Sequence, residues 1–246
     1  MLAEERLSKI ISIVNRTGSV TIAELMKVLD ASESTIRRDL NTLHEDAKLI
    51  KVRGGAISAG DKYSTRDDEV VIRKGLNVEE KQKIAAYAAH LITDSDFVFI
   101  DAGTTTEMMI PFISSRNAVF VTNATSHALK LSKMGLSVYI IGGEFKSSTQ
   151  AIVGEEAIKS LEKYNFTKGF FGTNGITKEH GFTTPEIRES LIKRYAIQKC
   201  VTSYVLADSS KFSKVSAITF SDIDDATVIT ESVPAKYKEF RNIEEV

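Results

Sequence analysis

Two groups of residues in this sequence have side chains that suit phosphate binding. The first joins hydroxyl and guanidinium groups at positions 32–38 to the cations Lys51 and Arg53. The second consists of glycines, small polar residues and lysines that follow successive apolar runs, beginning with Gly103 and the threonines at positions 104–106. Hydroxyls, cations and glycine-exposed backbone amides all bind oxyanions. The elements that carry each group indicate whether its phosphate belongs to DNA or to a small molecule.

Two short helices are predicted ahead of the first group. Apolar residues recur at helical spacing over residues 3–16, and Gly18 is expected to end that helix. Thr21 is predicted to cap a second helix with Glu24 as its capping-box partner, and this helix should end near Asp30. The apolar positions that support the two helices are Leu7, Ile10, Ile11, Val14, Ile22, Leu25 and Leu29.

A third helix carries the first group. Ser32 is predicted to cap it, and Ile36, Leu40 and Leu43 form one buried stripe. Two short helices and a tight turn before a third are typical of the helix-turn-helix motif, whose last helix enters the major groove of double-stranded DNA. Asp39 is expected to be structural and to pair with an arginine. The residues predicted to meet bases or phosphates are Ser32, Ser34, Thr35, Arg37 and Arg38.

A basic hairpin is predicted after the third helix. Apolar and basic residues alternate over residues 48–53 and lead into Gly54 and Gly55, which is the pattern of a strand and a wing tip. Lys51 and Arg53 fall on the same face of that strand and are predicted to reach the DNA backbone or the minor groove. Paired arginines alone usually form a solvated helix face, but a capped third helix followed by a basic wing favours DNA binding.

From residue 79 onward, short apolar runs alternate with helical stretches. Continuous apolar strands separated by helices indicate an α/β domain with a mainly parallel sheet that is covered on both faces. The predicted strands include residues 97–100, 119–121, 138–141, 169–171, 204–206 and 228–229. The predicted helices include residues 84–92, 107–113, 126–133, 155–161 and 186–197.

The second group lies at the carboxyl ends of these predicted strands, where parallel sheets bind their ligands. Gly103 permits close backbone approach, and the threonine hydroxyls, together with the N-terminus of the helix that they open, favour a phosphate. Glycines, hydroxyls, an amide and lysines at further strand ends suit a phosphorylated polyol. The residues predicted to bind this effector are Asp101, Gly103, Thr104, Thr105, Thr106, Thr122, Asn123, Gly143, Lys146, Gly172, Asn174 and Lys211.

The motifs in both halves resemble those of the DeoR family of bacterial transcriptional repressors. STIRRDLNTL, followed by a basic residue and GGA, resembles the DNA-binding signature of the family. DAGTTT, TNA, IGGE, FGTNGI, GFTT and ADSSKF, in this order, resemble its sensor domain, so that the resemblance covers almost the whole chain. It implies a sensor similar in fold to ribose-5-phosphate isomerase and related phosphosugar enzymes. It also implies that residues 103–106 hold the phosphate of the effector and that Lys211 and Asn174 contact the sugar or phosphate.

Three positions depart from the family pattern. His44 stands where glutamate is common, Ala47 stands where glycine is expected, and Lys51-Val52-Arg53 replaces Arg-x-His in the wing. The wing keeps its cations, so phosphate contact survives while sequence preference differs. LDASESTIRRDL, GTNGI and GFTTPE most resemble the fructose-operon repressor branch, which implies fructose 1-phosphate as effector. Tagatose or galactitol phosphates and glycerol 3-phosphate remain alternatives.

The composition is that of a globular protein without a global basic field. Of 246 residues, 42% are hydrophobic and 26% charged, and the formal net charge is −1. No stretch approaches the ~20 apolar residues that span a bilayer, and the N-terminus lacks signal-peptide features, so a cytoplasmic location is expected. Cys200 is expected to be a buried, inert thiol. The four histidines, at positions 44, 90, 127 and 180, lack metal-ligand spacing, so no metal or cofactor is expected.

These patterns predict a winged helix-turn-helix domain over residues 1–57, a connector over residues 58–78 and a phosphosugar-sensing effector domain over residues 79–246. A short extended piece is expected in the connector at residues 70–72. The predicted function is that of a homo-oligomeric repressor that leaves its operator DNA when a phosphorylated sugar binds. An effector that acts as corepressor would leave the same signature.

The main alternative is a phosphosugar isomerase or deaminase with an accessory DNA-binding domain. Such chemistry requires a general base, for which Asp101, Glu107, Glu144 and Asp208 are nominal candidates. Asp101 and Asp208 fall at strand-to-loop turns, where capping residues are common. Glu144 is expected to pair with Lys146. No catalytic constellation stands out, and the DNA-binding pattern favours binding without turnover.

Overall fold

Thr21 and Ser32 begin the second and third helices of the N-terminal part, as their hydroxyls predict. The computed structural model describes residues 3–17, 19–46, 48–58, 63–64 and 73–246. The chain divides into two units, residues 1–68 and 69–246. The described part of the first unit contains α1 (Ala3–Thr17), β1 (Ser19–Thr21), α2 (Ile22–Leu29), α3 (Glu33–Glu45), β2 (Leu49–Val52), β3 (Gly55–Ser58) and β4 (Tyr63–Ser64). The predictions for Gly18, Ala47 and residues 70–72 fall outside the described residues.

Local capping and an apolar core explain the three helices. Thr21 and Glu24 form the predicted capping box, and α2 ends at Asp30 in the left-handed conformation, with φ 48°. Ser32 caps α3, as predicted. The predicted apolar stripes of the three helices meet in one core with Val20, Leu49 and Ala56. The helical predictions for this unit are therefore confirmed.

The hairpin after α3 forms an antiparallel sheet in the order β1-β3-β2. Arg53 and Gly54 make the turn, and Gly54 has φ +94°, which favours glycine. Gly55 has a different reason: a Cβ there would lie 2.1 Å from the carbonyl oxygen of Val20, because β1 and β3 pack closely. The predicted wing is present, but its strand ends at Val52 rather than at Arg53.

The second unit is built on a seven-stranded parallel sheet in the order β17-β16-β13-β10-β5-β6-β7. Its strands are β5 (Phe97–Ile100), β6 (Val119–Thr122), β7 (Ser137–Ile140), β10 (Phe166–Gly172), β13 (Cys200–Leu206), β16 (Thr227–Thr230) and β17 (Ile243–Glu245). Shorter strands are β8 (Glu144–Lys146), β9 (Ala151–Val153), β11 (Gly175–Thr177), β12 (Gly181–Thr184), β14 (Val215–Ser216) and β15 (Ile218–Ser221). The α/β prediction is confirmed. The small sheet β11-β12-β15 and the edge strand β17 were not predicted, because they lack long apolar runs.

Helices cover both faces of this sheet. They are α4 (Val78–His90), α5 (Thr104–Met109), α6 (Thr125–Lys133), α7 (Glu155–Glu162) and α8 (Ile187–Gln198). One core joins Phe99, Phe171 and Val205 to α7 and α8, whereas the other joins Ile100 and Phe170 to α4, α5 and α6. Strand residues therefore alternate between two apolar layers, which explains why the strand sequences are continuously apolar. The helix predicted at residues 107–113 begins instead at Thr104 and gives way to a 3₁₀ turn at Ile110–Phe112, where Pro111 sits.

The chain order of the strands reverses beside β5. From β5 the sheet grows through β6 to β7 on one side, and through β10, β13 and β16 to β17 on the other. The carboxyl ends of β5 and β10 therefore diverge into loops that run in opposite directions. Such a switch point leaves a crevice, and open α/β sheets bind their ligands there.

Candidate functional site

The exposed face of α3 carries the residues predicted to meet DNA. The Ser32 Oγ accepts a hydrogen bond from the Thr35 backbone N–H at 3.3 Å and lies 3.0 Å from the Ser34 Oγ and 2.9 Å from the Thr35 Oγ1. Because the stripe of Ile36 and Leu40 faces the core, this hydroxyl cluster is turned to solvent at the start of the helix. It presents hydroxyls together with the N-terminal amides of a 13-residue helix, an arrangement that favours anions.

The two arginines of α3 have different surroundings. Arg37 donates from Nε and Nη2 to the Glu33 Oε1 at 2.8 and 2.6 Å, one turn earlier on the exposed surface. Arg38 is exposed, and within the described residues it makes no ion pair. Asp39 is buried and receives a two-pronged contact from Arg6, with N–O distances of 2.5 and 3.1 Å. The predicted pairing of Asp39 with an arginine is confirmed, and it ties α1 to α3.

The wing places its cations beside α3. The Lys51 Nζ donates to the Asn41 Oδ1 at 2.5 Å, and Arg53 is exposed in the turn. Asn41 and Thr42 were not predicted as DNA contacts, but they share the exposed face of α3 with the arginines. They lie four residues after Arg37 and Arg38, and this spacing was the available signal.

A pocket opens at the switch point, at the carboxyl ends of β5, β10 and β13. Four basic residues and one acidic residue line it. The lining residues are Arg73, Leu76, Lys81, Ala102, Gly103, Thr104, Thr105, Gly172, Thr173, Asn174, Glu189, Lys193, Leu206 and Lys211. Of the predicted effector contacts, it brings together Gly103, Thr104, Thr105, Gly172, Asn174 and Lys211.

Other predicted contacts lie behind the pocket wall and shape it. The Thr106 hydroxyl donates to the Asp101 carbonyl at 2.7 Å and is 2.9 Å from the Gly103 carbonyl. The Asn123 Oδ1 accepts from the Ala102 N–H at 2.8 Å, and the Thr122 hydroxyl donates to a strand carbonyl. These side chains are buried and bonded to main chain. In this arrangement they fix the loop of residues 101–106, whose backbone reaches the pocket.

Asp101 faces a lysine rather than the pocket space. Its carboxylate pairs with Lys193 and accepts from the Gly172 N–H at 3.1 Å, while Lys193 also donates to the Gly172 carbonyl at 3.0 Å. Both side chains are almost fully buried. Burial raises the pKa of Asp101, and the Lys193 ammonium opposes that shift. The pair locks α8 onto the ends of β5 and β10 and sets Lys193 in the pocket wall.

Lys146 does not line the pocket, but it contacts Glu189, which does. The Glu189 Oε1 accepts from the Lys146 Nζ at 2.8 Å and from the Thr149 hydroxyl at 2.6 Å. Burial opposes ionisation of Glu189, but these two bonds hold its pKa below the usual range. The predicted Glu144–Lys146 pair is wrong: Glu144 pairs with Arg188 at 2.8 Å, because Lys146 turns inward toward α8.

Gly143 lies outside the pocket lining, where the backbone packs closely against neighbouring residues. It has φ +143°, and a Cβ there would lie 2.8 Å from the Val153 carbonyl oxygen and from the Ala157 Cβ. The turn between β7 and β8 packs directly on α7 at this point. This close packing explains why the residue at position 143 is glycine, and the predicted contact of Gly143 with an effector stays a prediction.

Lys81 and Lys193 are the main residues that sequence reasoning missed. The Lys81 Nζ donates to the Arg73 carbonyl at 2.6 Å and to the Thr104 Oγ1 at 3.3 Å. Burial, and the neighbouring charge of Lys211, lower the pKa of Lys81 to about 8. Both lysines lie inside helices and not in the glycine-rich strand ends. For Lys81, the sequence did contain a sign of burial: it precedes Ile84 and Ala85 at helical spacing and so shares their apolar helix face.

The carboxylates considered as general bases are engaged elsewhere. Glu107 is buried and pairs with Lys74 and Lys130, each at 2.9 Å. Asp208 caps the 3₁₀ turn Ser209–Lys211, as a capping residue is expected to do. With Asp101 paired to Lys193 and Glu144 to Arg188, none of the four lines the pocket. Glu189, which does line it, was not among the candidates.

Histidine and cysteine side chains are the groups that could bind a metal or take part in redox chemistry. His127 is buried beside the Gly103 carbonyl, and burial lowers its pKa to about 4. His180 is exposed. Cys200 is partly buried, donates to the Ala196 carbonyl, and has a pKa raised by burial to about 12. The part of the chain that the structure describes contains no cluster of three or more His, Cys, Asp or Glu suited to a metal. In the same part, every helix is too short or too polar to cross a membrane.

Comparisons with known proteins match both units. A family model described as "DeoR-like helix-turn-helix domain" matches residues 6–62, and one described as "DeoR C terminal sensor domain" matches residues 76–232. The chain is 42% identical over 94% of its length to the "Uncharacterized HTH-type transcriptional regulator FruR" of Bacillus subtilis, covering 91% of that protein. It is 35% identical to the "HTH-type transcriptional regulator IolR" of the same species, with 88% and 86% of the two chains covered. It is 31% identical to the "Lactose phosphotransferase system repressor" of Streptococcus mutans, with 93% and 92% covered.

Solved structures give a weaker likeness, over part of the chain. Ribose 5-phosphate isomerase A of Methanocaldococcus jannaschii aligns with a TM-score of 0.42 at 14% identity, covering 55% of each chain. The eIF2B delta subunit of Chaetomium thermophilum aligns with a TM-score of 0.43 at 15% identity, covering 59% of this chain and 57% of that one. Likenesses of this degree say nothing about function.

Proposed function

Since this chain belongs to the DeoR family of transcriptional regulators, we propose that it represses a sugar-utilisation operon and that a phosphorylated sugar releases it from double-stranded operator DNA. The observation that carries the proposal is the cationic pocket at the switch point. Arg73, Lys81, Lys193 and Lys211 surround a loop of small residues there. The residues predicted to meet DNA lie on the exposed face of α3 and on the wing, in the other unit of the chain.

A phosphate is the group that this pocket suits best. Buried cations are costly unless an anion compensates them. Glu189 is the only acid among the lining residues, which include four cations. Lys193 is already paired with Asp101 behind the wall, and Asp208 lies near Lys81 and Lys211, so the positive charge offered to a ligand comes mainly from Arg73, Lys81 and Lys211. Thr104 and Thr105 add hydroxyl donors beside Lys81. A dianionic phosphate would neutralise this positive charge, and charge-assisted hydrogen bonds to it are stronger than neutral ones.

The rest of the ligand is proposed to be a sugar with free hydroxyl groups. Lys146 and Thr149 hold Glu189 ionised at the pocket wall, where it can accept a hydrogen bond from a hydroxyl group. A second phosphate at that position would be repelled by the carboxylate. Asn174 offers an amide in the same pocket. We propose a sugar monophosphate, and fructose 1-phosphate in particular, because the chain is most like the fructose-operon branch in its motifs.

The DNA-binding unit is proposed to work as a pair within a homo-oligomer, with α3 in the major groove of each half-site. Arg38, Ser34 and Thr35 would approach bases or phosphates, while Lys51 and Arg53 would contact the flanking backbone or minor groove. Asn41 and Thr42 extend the same exposed face, and we add them to the predicted contacts. An asparagine on a recognition helix suits adenine, which presents matching donor and acceptor groups in the major groove.

Binding without turnover is part of the proposal. An isomerase needs a carboxylate or similar base free to take a proton from carbon. Asp101, Glu107 and Glu144 are each paired with a cation, and the carboxylate that lines the pocket is held by Lys146 and Thr149. Asp208 caps the turn of residues 209–211 through Oδ1 and does not line the pocket. An assay of ketose–aldose conversion is expected to show no turnover, and turnover at an enzymatic rate would contradict the proposal.

The deciding experiment titrates fructose 1-phosphate into the protein bound to its own upstream promoter fragment. Fructose 6-phosphate, fructose 1,6-bisphosphate and inorganic phosphate serve as controls. Selective release by fructose 1-phosphate is expected, and Thr105→Ala should require a higher concentration because one phosphate donor is lost. Glu189→Gln should narrow the discrimination against the bisphosphate. Release by all four compounds alike would contradict a sugar-specific pocket, and absence of binding to the fragment would contradict the repressor proposal.

A further inference from the structure

Residues 73–77, named here the junction segment, lie close in sequence to the DNA-binding unit and also contribute to the pocket. Arg73 is the fifth residue of the second unit, which begins at Glu69, so the segment lies close in sequence to the DNA-binding unit. Arg73 and Leu76 also line the pocket. Residues at the C-terminal end of the predicted connector are therefore part of the pocket wall.

The first anchor of the junction segment is Lys81. Its ammonium group has three hydrogens. One is donated to the Arg73 carbonyl at 2.6 Å and one to the Thr104 hydroxyl at 3.3 Å. Lys81 itself lines the pocket, and a third hydrogen can go to a ligand. One side chain thus links the junction segment, the loop after β5 and the ligand space.

The second anchor is Asn77, which adopts the left-handed conformation with φ 49° immediately before α4. Its amide donates to the Asp208 Oδ1 at 2.8 Å and to the Ser210 Oγ at 3.2 Å. Asp208 and Ser210 shape the turn that carries Lys211, a pocket residue. Asn77 therefore ties the junction segment to a second ligand-facing loop without lining the pocket itself.

The third anchor is Lys74, whose ammonium lies 2.9 Å from the Glu107 carboxylate. Glu107 belongs to α5, the helix that starts with Thr104 and Thr105. Lys130 of α6 contacts the other oxygen of the same carboxylate, also at 2.9 Å. The two lysines are similarly exposed, at 43% and 48% of their side chains, but only Lys74 belongs to the junction segment. This chain therefore provides its own matched control.

We propose that the junction segment is the coupling element of the repressor, with Asn77 and Lys74 as positioning residues that transmit the occupancy of the pocket to the preceding part of the connector. The proposal rests on the proposed function, since it concerns the regulation of the same pocket. An anionic ligand attracts Lys81, holds its ammonium charged, and thereby fastens the Arg73 carbonyl. The ligand also fixes the loops that carry Thr104 and Lys211, to which Lys74 and Asn77 are bonded. An occupied pocket therefore holds the junction segment more firmly than an empty one.

This mechanism requires that the ligand bind one state of the segment more tightly than the other. A ligand with equal affinity for two states does not change their populations. The coupling factor is the ratio of operator affinities without and with saturating ligand. Removing an anchor that the ligand does not touch should reduce this ratio and leave ligand binding largely intact. That separation distinguishes a coupling role from a purely structural role or a binding role.

The test compares the wild-type protein with Asn77→Gly, Lys74→Met and the control Lys130→Met. Glycine keeps the left-handed conformation at position 77 and removes only the amide. Calorimetry gives the affinity for fructose 1-phosphate, and fluorescence anisotropy gives the operator affinity with and without it. Coupling factors of about 5- to 150-fold are usual for allosteric proteins. The factor should fall to near one in Asn77→Gly, fall partly in Lys74→Met, and stay unchanged in Lys130→Met, with ligand affinity within about threefold of wild type in all three.

Amide hydrogen exchange supplies a second measurement on the full-length wild-type chain. Saturating fructose 1-phosphate should slow exchange over residues 73–81, and Asn77→Gly should abolish that protection. Full coupling in Asn77→Gly with normal ligand binding would overturn the inference alone. An equal loss of coupling in Lys130→Met would overturn it as well, since any change near Glu107 would then suffice. Failure of the wild-type protein to bind fructose 1-phosphate would instead overturn the proposed effector, and with it the ligand class on which the inference rests.

Discussion

The exposed face of α3 and the pocket at the switch point both contain cations, but the cations lie in opposite environments. The Arg37 side chain is 52% exposed and pairs with Glu33 one turn away. The Lys193 side chain is 5% exposed and is held by Asp101, which is distant in sequence. Exposed charges are cheap to place and add little to stability, whereas buried charges need partners and hydrogen bonds. The cations on the exposed face of α3 can therefore vary independently, whereas Lys193 in the pocket wall is part of the fold.

The largest effect is expected from breaking the buried pair. Asp101→Asn leaves the Lys193 ammonium buried without its closest counter-charge. The loss of one partner of a buried pair typically costs about 3–5 kcal/mol, so the free energy of unfolding of the second unit should fall by that order. Hydrogen exchange of the slowest amides in β5 and β10 measures it, since these amides exchange through global opening of that unit.

The matched control is an exposed pair of the same unit. Lys159→Met removes contacts with Glu155 and Glu156 on the surface of α7, and the unfolding free energy should hardly change. Equal effects of the two substitutions would mean that burial of the Asp101–Lys193 pair does not set its importance. The contrast between the two environments would then fail.

The second effect concerns DNA alone. Arg38→Ala should weaken operator binding by about 1–3 kcal/mol, the usual cost of losing one base-reading arginine. Because Arg38 is exposed, the unfolding free energy and the affinity for fructose 1-phosphate should stay unchanged. Anisotropy titrations against the operator and against single-base variants separate base reading from phosphate contact. A substantial loss of thermal stability in Arg38→Ala would contradict the view that this face is assembled from independent charges.

The same contrast explains what could be predicted from the sequence. Ser32, Arg38 and the stripe of Ile36 and Leu40 lie within one short helix, so local periodicity was enough to assign them to faces. The loop at Gly103 was found because small residues directly follow a strand. Lys81 and Lys193 escaped because their function depends on which helices the sheet order brings to the pocket, and that is a property of long-range packing.

The predicted contacts that lie behind the pocket teach a related lesson. Thr122 and Asn123 lie at the end of β6 and Thr106 lies in the first turn of α5; all three were selected by type and position, and each is polar and buried. Their hydrogen bonds go to main chain, so that a functional loop and its support have the same composition. Residue type at a strand end identifies the region of a site. Only the direction of each side chain separates the wall from the support.

The third effect is a pH dependence of effector binding. Burial and Lys211 lower the pKa of Lys81 to about 8, so the empty pocket loses this charge as the pH rises above 8. A bound phosphate raises that pKa again, and binding then takes up a proton at alkaline pH. By linkage, the affinity for fructose 1-phosphate should be about tenfold lower at pH 9 than at pH 7, with the phosphate doubly ionised at both.

Lys81→Arg is the control for this profile, because a guanidinium group stays charged throughout the range. Its affinity should be nearly constant between pH 7 and 9. Operator binding without effector should also be insensitive to Lys81→Arg. A tenfold pH effect that persists in the arginine variant would show that another group titrates and that Lys81 does not cause the pH dependence.

The smallest effect belongs to the wing. Lys51 already donates one hydrogen bond to Asn41, so a phosphate contact uses only its remaining donors. Lys51→Met should weaken binding to all DNA sequences alike and lower the magnitude of the slope of log K against log salt by about 1. Anisotropy titrations at several salt concentrations measure this slope. An unchanged slope would show that Lys51 positions Asn41 rather than contacting DNA, and Lys51 would then resemble Lys146, which holds Glu189 at the pocket wall without lining the pocket itself.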